Sequence, residues 1–316
     1  MKTVAELLQT LSMPQECVQT LCTCEKALHK NAEAEFASAL SYYLSGEADR
    51  PTAQALLSAL CEKSGQCGYS SDMVVVLSAF ARLEAVYEKL GLSHALYENA
   101  CRDARCKLLE CYQLHGVWGT FAPLWFLRWF VPNRFALGRM QFQKAALTMP
   151  GVEKVVFDGL PNGRVVEITE GVPVIQMHVP STGEPITDAL RMDAYRQAYD
   201  FYAAERKDGF LLFSCKSWLL YEKQREFLPK KSNILRFMDD FYILKIPVFA
   251  PCGDLWRIFM VPNETPYEAL PEDTSLRLAY KKHLLAGGEP VQQLGLFLFD
   301  GSTIYNQATM IKKPLA

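Results

Sequence analysis

The spacing of the apolar residues changes character once along this chain of 316 residues, near Met149-Pro150-Gly151. Before that point apolar residues recur three and four apart, the period that gives a helix one buried stripe. After it, short β-branched runs alternate with helical stretches. A chain with two such halves must bury two kinds of surface, helix on helix and then sheet on helix. The expected fold class is therefore α+β: an all-α domain over 1–149, then a mixed-sheet domain flanked by helices over 150–316.

The helical half carries its own punctuation. Met1 to Met13 reads as an amphipathic helix. Pro14 sits where a first-turn proline belongs and opens a helix to about His29. Asn31 to Ser45 continues as helix, Asp49-Arg50-Pro51-Thr52 starts another, and Gly65 ends it. Ser70-Ser71-Asp72 is expected to cap an apolar helix from Met73 to Leu90, and Ser93 a further one to about Leu114. The most hydrophobic window, Val117 to Val131, is broken by Pro123 and Arg128 and is too short for a membrane span of roughly 20 apolar residues. It reads as a buried helix or an aromatic contact surface.

In the second half, Glu153 to Phe157 and Arg164 to Ile168 are strands joined by a glycine- and proline-rich hairpin connection. Val172 to Val179, Phe210 to Ser214, Leu255 to Val261 and Gly295 to Phe299 complete the expected strands. Helices are expected over Thr187 to Lys207, Ser232 to about Tyr242, and from the Asp273-Thr274 cap to Gly287-Gly288.

Composition narrows the function classes. Half of the residues are hydrophobic, and 33 Lys+Arg against 35 Asp+Glu leave a net charge of -2. That balance gives no footprint for nucleic acid or an anionic membrane. The first residues lack a signal peptide's apolar centre, so a cytoplasmic protein with free thiols is expected. None of the ten cysteines forms a CxxC pair, and the five histidines form no HxH or HExxH pair, so no metal is expected. Cys17, Cys22, Cys24 and His29 are the nearest approach to a ligand set.

Chemistry concentrates between Val172 and Tyr242. One apolar strand ends in Met177-His178-Val179-Pro180-Ser181-Thr182-Gly183, and a second ends in Ser214-Cys215-Lys216-Ser217-Trp218. Strands finishing in hydroxyl residues and a titratable group are how an open α/β sheet builds a ligand crevice at its carboxyl ends. Each residue also has a structural reading. Ser181 can cap the next helix, Trp218 can plug a core, and Arg236 can pair with Asp239 or Asp240 on its own helix. Arg139 and Gln141 stand at the junction of the halves, and Glu167 and Glu170 fit a solvated face.

The element order is similar to the catalytic half of the GNAT acyltransferase fold. Specific segments resemble a bacterial acyltransferase family with a helical N-terminal domain and a GNAT-like C-terminal domain. They are Phe135-Ala136-Leu137-Gly138-Arg139-Met140-Gln141-Phe142-Gln143, Met177-His178-Val179-Pro180-Ser181, Cys215-Lys216-Ser217-Trp218-Leu219-Leu220, Leu228-Pro229 with Ser232-Asn233-Ile234, and Leu270-Pro271 with Asp273-Thr274-Ser275-Leu276. The resemblance implies transfer of an acyl group from acyl-coenzyme A to an amine by direct attack. It implies His178 as base and Ser181, Thr182, Gly183, Ser214 and Ser217 as the donor-binding set, with Cys215 a nucleophile only if a partner base activates it. Loop 180–185 departs from the family's glycine-rich phosphate loop: it has one glycine, two prolines and an acidic Glu184. That departure supports a second reading, a non-enzymatic ligand- or partner-binding protein on the same scaffold. Acyl chain, acceptor and oligomeric state are left open by the sequence.

Overall fold

A computed structural model describes residues 2–245 and 253–313. Two compact units divide the chain, Met1–Ala136 and Leu137–Ala316.

The first unit is helical: α1 (Val4–Thr10), α2 (Gln15–Asn31), α3 (Glu33–Leu44), α4 (Arg50–Ser64), α5 (Gly68–Lys89), α6 (His94–His115) and a short α7 (Leu127–Phe130). Thr3 and Glu6 form a reciprocal capping box that starts α1, and Asp49 caps α4 through the Thr52 N–H. Helix α5 is the hub. It touches α1, α2, α3, α4 and α6, and Met73 to Leu77 are fully buried. A helix apolar on every side can only lie inside. The Ser70-Ser71-Asp72 segment does not cap it, because α5 starts earlier, at Gly68, with Cys67 in the cap position. Ser70 instead donates its hydroxyl to the Trp118 carbonyl, 2.9 Å away.

The aromatic window is a 3₁₀ turn at Pro123–Trp125 followed by α7, so Pro123 prevents one continuous helix. Buried Asp103 of α6 anchors it, accepting from the indole N–H groups of Trp125 at 2.7 Å and Trp129 at 2.9 Å. Cys17, Cys24, Cys101, Cys106 and Cys111 are buried as free thiols. Burial pushes Cys17 and Cys24 up to about 12, the response of a small hydrophobe withdrawn from water. Among the described residues no group of three or more His, Cys, Asp or Glu could hold a metal ion. No described helix is long and apolar enough to cross a membrane.

Helical structure does not run to 149. Arg134–Leu137 (β1) and Met140–Ala146 (β2) are already strands. The sequence Met140-Gln141-Phe142-Gln143 alternates apolar and polar residues, a period-two signal overridden in the sequence reading by the helical stretch before it.

The second unit contains β3 (Val152–Phe157), β4 (Val166–Thr169), β5 (Pro173–His178), α8 (Asp188–Phe201), β6 (Leu211–Ser217), α9 (Gln224–Phe227), α10 (Asn233–Met238), β7 (Tyr242–Ile243), α11 (Leu255–Phe259), α12 (Ser275–Leu285), β8 (Gln293–Phe299), β9 (Ile304–Tyr305) and β10 (Thr309–Lys312). The larger sheet runs β2-β5-β6-β8-β7, with β9 against β8, and a smaller sheet runs β10-β3-β4. β5 and β6 are parallel, as strands joined by a helical crossover must be, and their neighbours β2 and β8 are antiparallel. Two expectations change here. The run expected as a strand over Leu255 to Val261 instead opens with helix α11, because Leu255, Ile258 and Phe259 are buried at three-four spacing. The Ser232 helix ends at Met238, and Tyr242 starts β7.

Side chains alternate across the large sheet, so its faces are covered differently. Val174, Leu296 and Leu298 join Val155, Phe157 and Ile168 of the small sheet in one apolar cluster. Phe213, Phe297 and Phe299 face Tyr195 of α8, with Phe213 and Phe297 stacked at 4.9 Å. Gly295 of β8 has no substitute, because a Cβ there would meet Phe241 and Leu220 at under 3 Å.

Candidate active site at the carboxyl ends of two parallel strands

β5 and β6 pair at Ile175/Phe213, Gln176/Ser214 and Met177/Cys215, and their ladder stops there. Beyond it each strand follows its other neighbour. His178 stands opposite Gln141 of β2, while Lys216 and Ser217 stand opposite Leu294 and Gln293 of β8. The carboxyl ends of the two parallel strands are thus held by different partners.

The alternation of the strand assigns the side chains. Met177 is buried, so His178, half-buried, lies on the other face with Gln176 and Val174. Cys215 is paired with Met177 and shares its face, turned away from His178. It is fully buried, and burial pushes its thiol up to about 12, which removes the thiolate that a nucleophile requires. Ser214 is buried inside the ladder. Ser217 accepts from the Leu219 N–H at 3.1 Å and caps the 3₁₀ turn Trp218–Leu220.

Past His178 the chain turns through exposed Ser181, Thr182 and Gly183, the last at φ +82°, where a side chain would be strained. Arg139 holds this loop. Its guanidinium, buried, donates to the Pro180 carbonyl at 2.9 Å and to the Glu184 carbonyl at 2.9 and 3.3 Å. Ser181 does not cap the following helix; Thr187 does, through the Leu190 N–H.

Under the start of α8 lies a second buried guanidinium, Arg191. It donates to Asp240 from Nε at 2.7 Å and Nη2 at 3.3 Å, to Asp188 at 3.0 Å, and to the carbonyls of Ile186 and Arg236. Tyr195 adds a hydroxyl to Asp240 at 2.9 Å. Burial alone would lower the Arg191 pKa, but the bond and charge of Asp240 reverse that and hold it above the usual value. Arg236 pairs across to Asp188, and Asp239 is taken by Arg225, so the expected pairing within α10 does not form. Near the end of β6, His283 stacks on Phe227 at 4.4 Å and lies 3.5 Å from the Tyr221 hydroxyl. Burial, then the Lys223 charge, lowers its pKa.

Sequence reading named His178, Arg139, Gln141 and the loop as candidates, and Asp240 only as a partner for Arg236. It did not single out Arg191, Tyr195 or His283. The Asp188/Arg191 pair three apart on a helix was legible; Asp240, 49 residues from Arg191, was not.

With this geometry in view, comparison with known proteins assigns both units. Residues 2–131 match an N-acyltransferase N-terminal domain, and residues 135–297 match a GNAT-like C-terminal domain. The chain belongs to this acyltransferase family. Solved acyltransferase structures share its fold at low identity. An acyltransferase in complex with decanoyl-CoA aligns at TM-score 0.61 and 18% identity, over 93% of this chain and 99% of that one. An acyltransferase mutant in complex with octanoyl-CoA aligns at TM-score 0.64 and 16% identity, over 92% and 85%. An acyltransferase in complex with decanoyl-CoA and teicoplanin aligns at TM-score 0.59 and 15% identity, over 93% and 99%. Among curated proteins no match was found.

Proposed function

We propose that this acyltransferase takes an acyl group from an acyl-coenzyme A thioester and places it on an amine by direct attack, at the carboxyl ends of β5 and β6. The observation that carries the reading is the end of the β5–β6 ladder at Met177/Cys215, one residue before His178. Strands that part there leave main-chain groups directed at a ligand, the arrangement that stabilises an oxyanion. The bound acyl-CoA of the structural relatives supports the donor class. That one of them also holds teicoplanin supports a second, separate acceptor, taken here only as a molecule bearing a nucleophilic amine.

In the proposed step the amine lone pair forms a C–N bond at the thioester carbonyl, and the carbonyl electrons move to oxygen. The oxyanion then collapses, the C–S bond breaks, and the thiolate leaves. His178 takes the proton lost by the amine. A thiolate, with a thiol pKa of about 8.5, leaves readily, so no strong acid is required. Cys215 has no part in this chemistry. Arg139 positions the 180–184 loop and touches no reacting atom.

Mixing the protein with decanoyl-coenzyme A and a panel of amines, while following free thiol and product mass, tests the reading. Donor at a hundred times its dissociation constant should add about 2.7 kcal/mol of stability. Absence of any saturable acyl-coenzyme A binding sinks the donor assignment. Binding without turnover on any amine favours instead the ligand-binding reading, which the two prolines and Glu184 of the loop support.

A further inference from the structure

We propose that a cavity at the amino ends of β5 and β6, the ends opposite His178, holds an unbranched alkyl chain. The cavity measures about 490 Å³, a volume typical of small-ligand sites. Its walls include Ala145 of β2, Val166 and Ile168 of β4, Val174 of β5, Leu212 of β6 and Leu298 of β8. These residues also belong to the apolar cluster between the two sheets, so the cavity lies at the edge of that cluster. Val165, also on the wall, is 57% exposed, an apolar group in water that an occupant would cover.

Charge lies at the rim. Lys144 and Lys207 are exposed there, Lys144 paired with Glu205. An aliphatic interior with charges at the mouth selects against a polar ligand, whose buried groups would lack partners. The alternation of β5 puts Val174 at the cavity on the same face as His178, four residues and about 13 Å away. Two sources of chain fit this placement: the tail of the acyl donor, a source that rests on the function proposed above, or a free fatty acid with its carboxylate by Lys207. The shared chemistry is the alkyl chain.

The test titrates the intact protein by calorimetry with two homologous series, carboxylates from hexanoate to dodecanoate and acyl-coenzyme A esters from acetyl to decanoyl. Each added methylene that enters the cavity should tighten binding about fourfold until the space is full. Ala145→Phe, which fills the cavity, should flatten that dependence. Val165→Asp, at an exposed position that tolerates charge, should weaken the longer chains and serves if the first variant does not fold. Displacement of decanoate by decanoyl-coenzyme A but not by coenzyme A assigns the chain to the donor; simultaneous binding assigns it to a free acid. If carboxylates follow the increment while no coenzyme A ester binds, the cavity stands and the donor reading falls. Affinities flat with chain length in both series, or unmoved by both variants, overturn the proposal.

Discussion

The two ends of the β5–β6 pair are built from opposite materials on one strand scaffold. At the amino ends, Ala145, Val174, Leu212 and Leu298 face an aliphatic cavity, and the ionic groups stay exposed at its rim. At the carboxyl ends, His178 and the Arg139-held loop bring a titratable ring, a guanidinium and main-chain carbonyls under partial cover, while the Arg191–Asp240–Tyr195 network lies on the α8 side of the sheet. Along the shared face of β5 the side chains pass from Val174 through Gln176, bonded to Gln143 at 2.7 Å, to His178. A period-two strand thus carries an apolar-to-polar gradient on one face while its other face stays packed on α8. Polar groups placed at strand ends can be satisfied by loops and helix starts, whereas mid-strand positions must be apolar or paired.

The comparison makes its largest prediction at the carboxyl end. His178→Ala should lower kcat by about 10²- to 10⁴-fold with little change in melting temperature, read from single-turnover product formation. Full activity in that variant removes the base role and leaves the rest of the site standing. Next, Arg191→Met should destabilise the fold by about 3–5 kcal/mol in urea melts, since it leaves Asp240 buried without its countercharge. A smaller loss would mean that Asp240 escapes by taking a proton, the direction in which burial already shifts it.

A third pair of variants contrasts the faces of a single strand. Phe213→Ala, fully buried against α8, should cost about 3–5 kcal/mol. Leu212→Ala, beside space that is already open, should fall at the low end, about 2 kcal/mol. Equal costs would show that the cavity side is as tightly packed as the α8 side. The smallest effect is on pH. The His283 pKa is lowered in the fold, so below the ordinary histidine range the unfolded chain binds the extra proton and stability falls as pH drops. Melting temperature should decline by a few degrees between pH 7 and 5, and His283→Gln should reduce that decline. A wild-type curve already flat there would detach His283 from the stability of this end.

Much of the fold was legible because its signals are local. Helix caps such as Asp49 and Thr274, and apolar runs such as Phe210 to Ser214, fix element type from neighbours a few residues away. Where a nearby pattern outvoted them, as at Met140 to Ala146 and Leu255 to Phe259, the reading slipped. The site was half legible. His178 was found as a strand-end titratable residue, yet Cys215, named beside it, points to the opposite face and is sealed from solvent.

The residues by themselves determined a helical unit followed by strands and helices, the acyltransferase resemblance, and the segments that carry it, because period, caps and motifs are written in consecutive positions. Only the tertiary structure decided that β5 and β6 lie side by side in parallel with a ladder ending at Met177/Cys215, that Arg191 meets Asp240, and that a cavity opens behind the same strands. Those facts depend on strand register and on partners dozens of residues apart. A one-residue slip of either strand would bring His178 and Cys215 onto the same face, and no local spacing records which register the packed core selects.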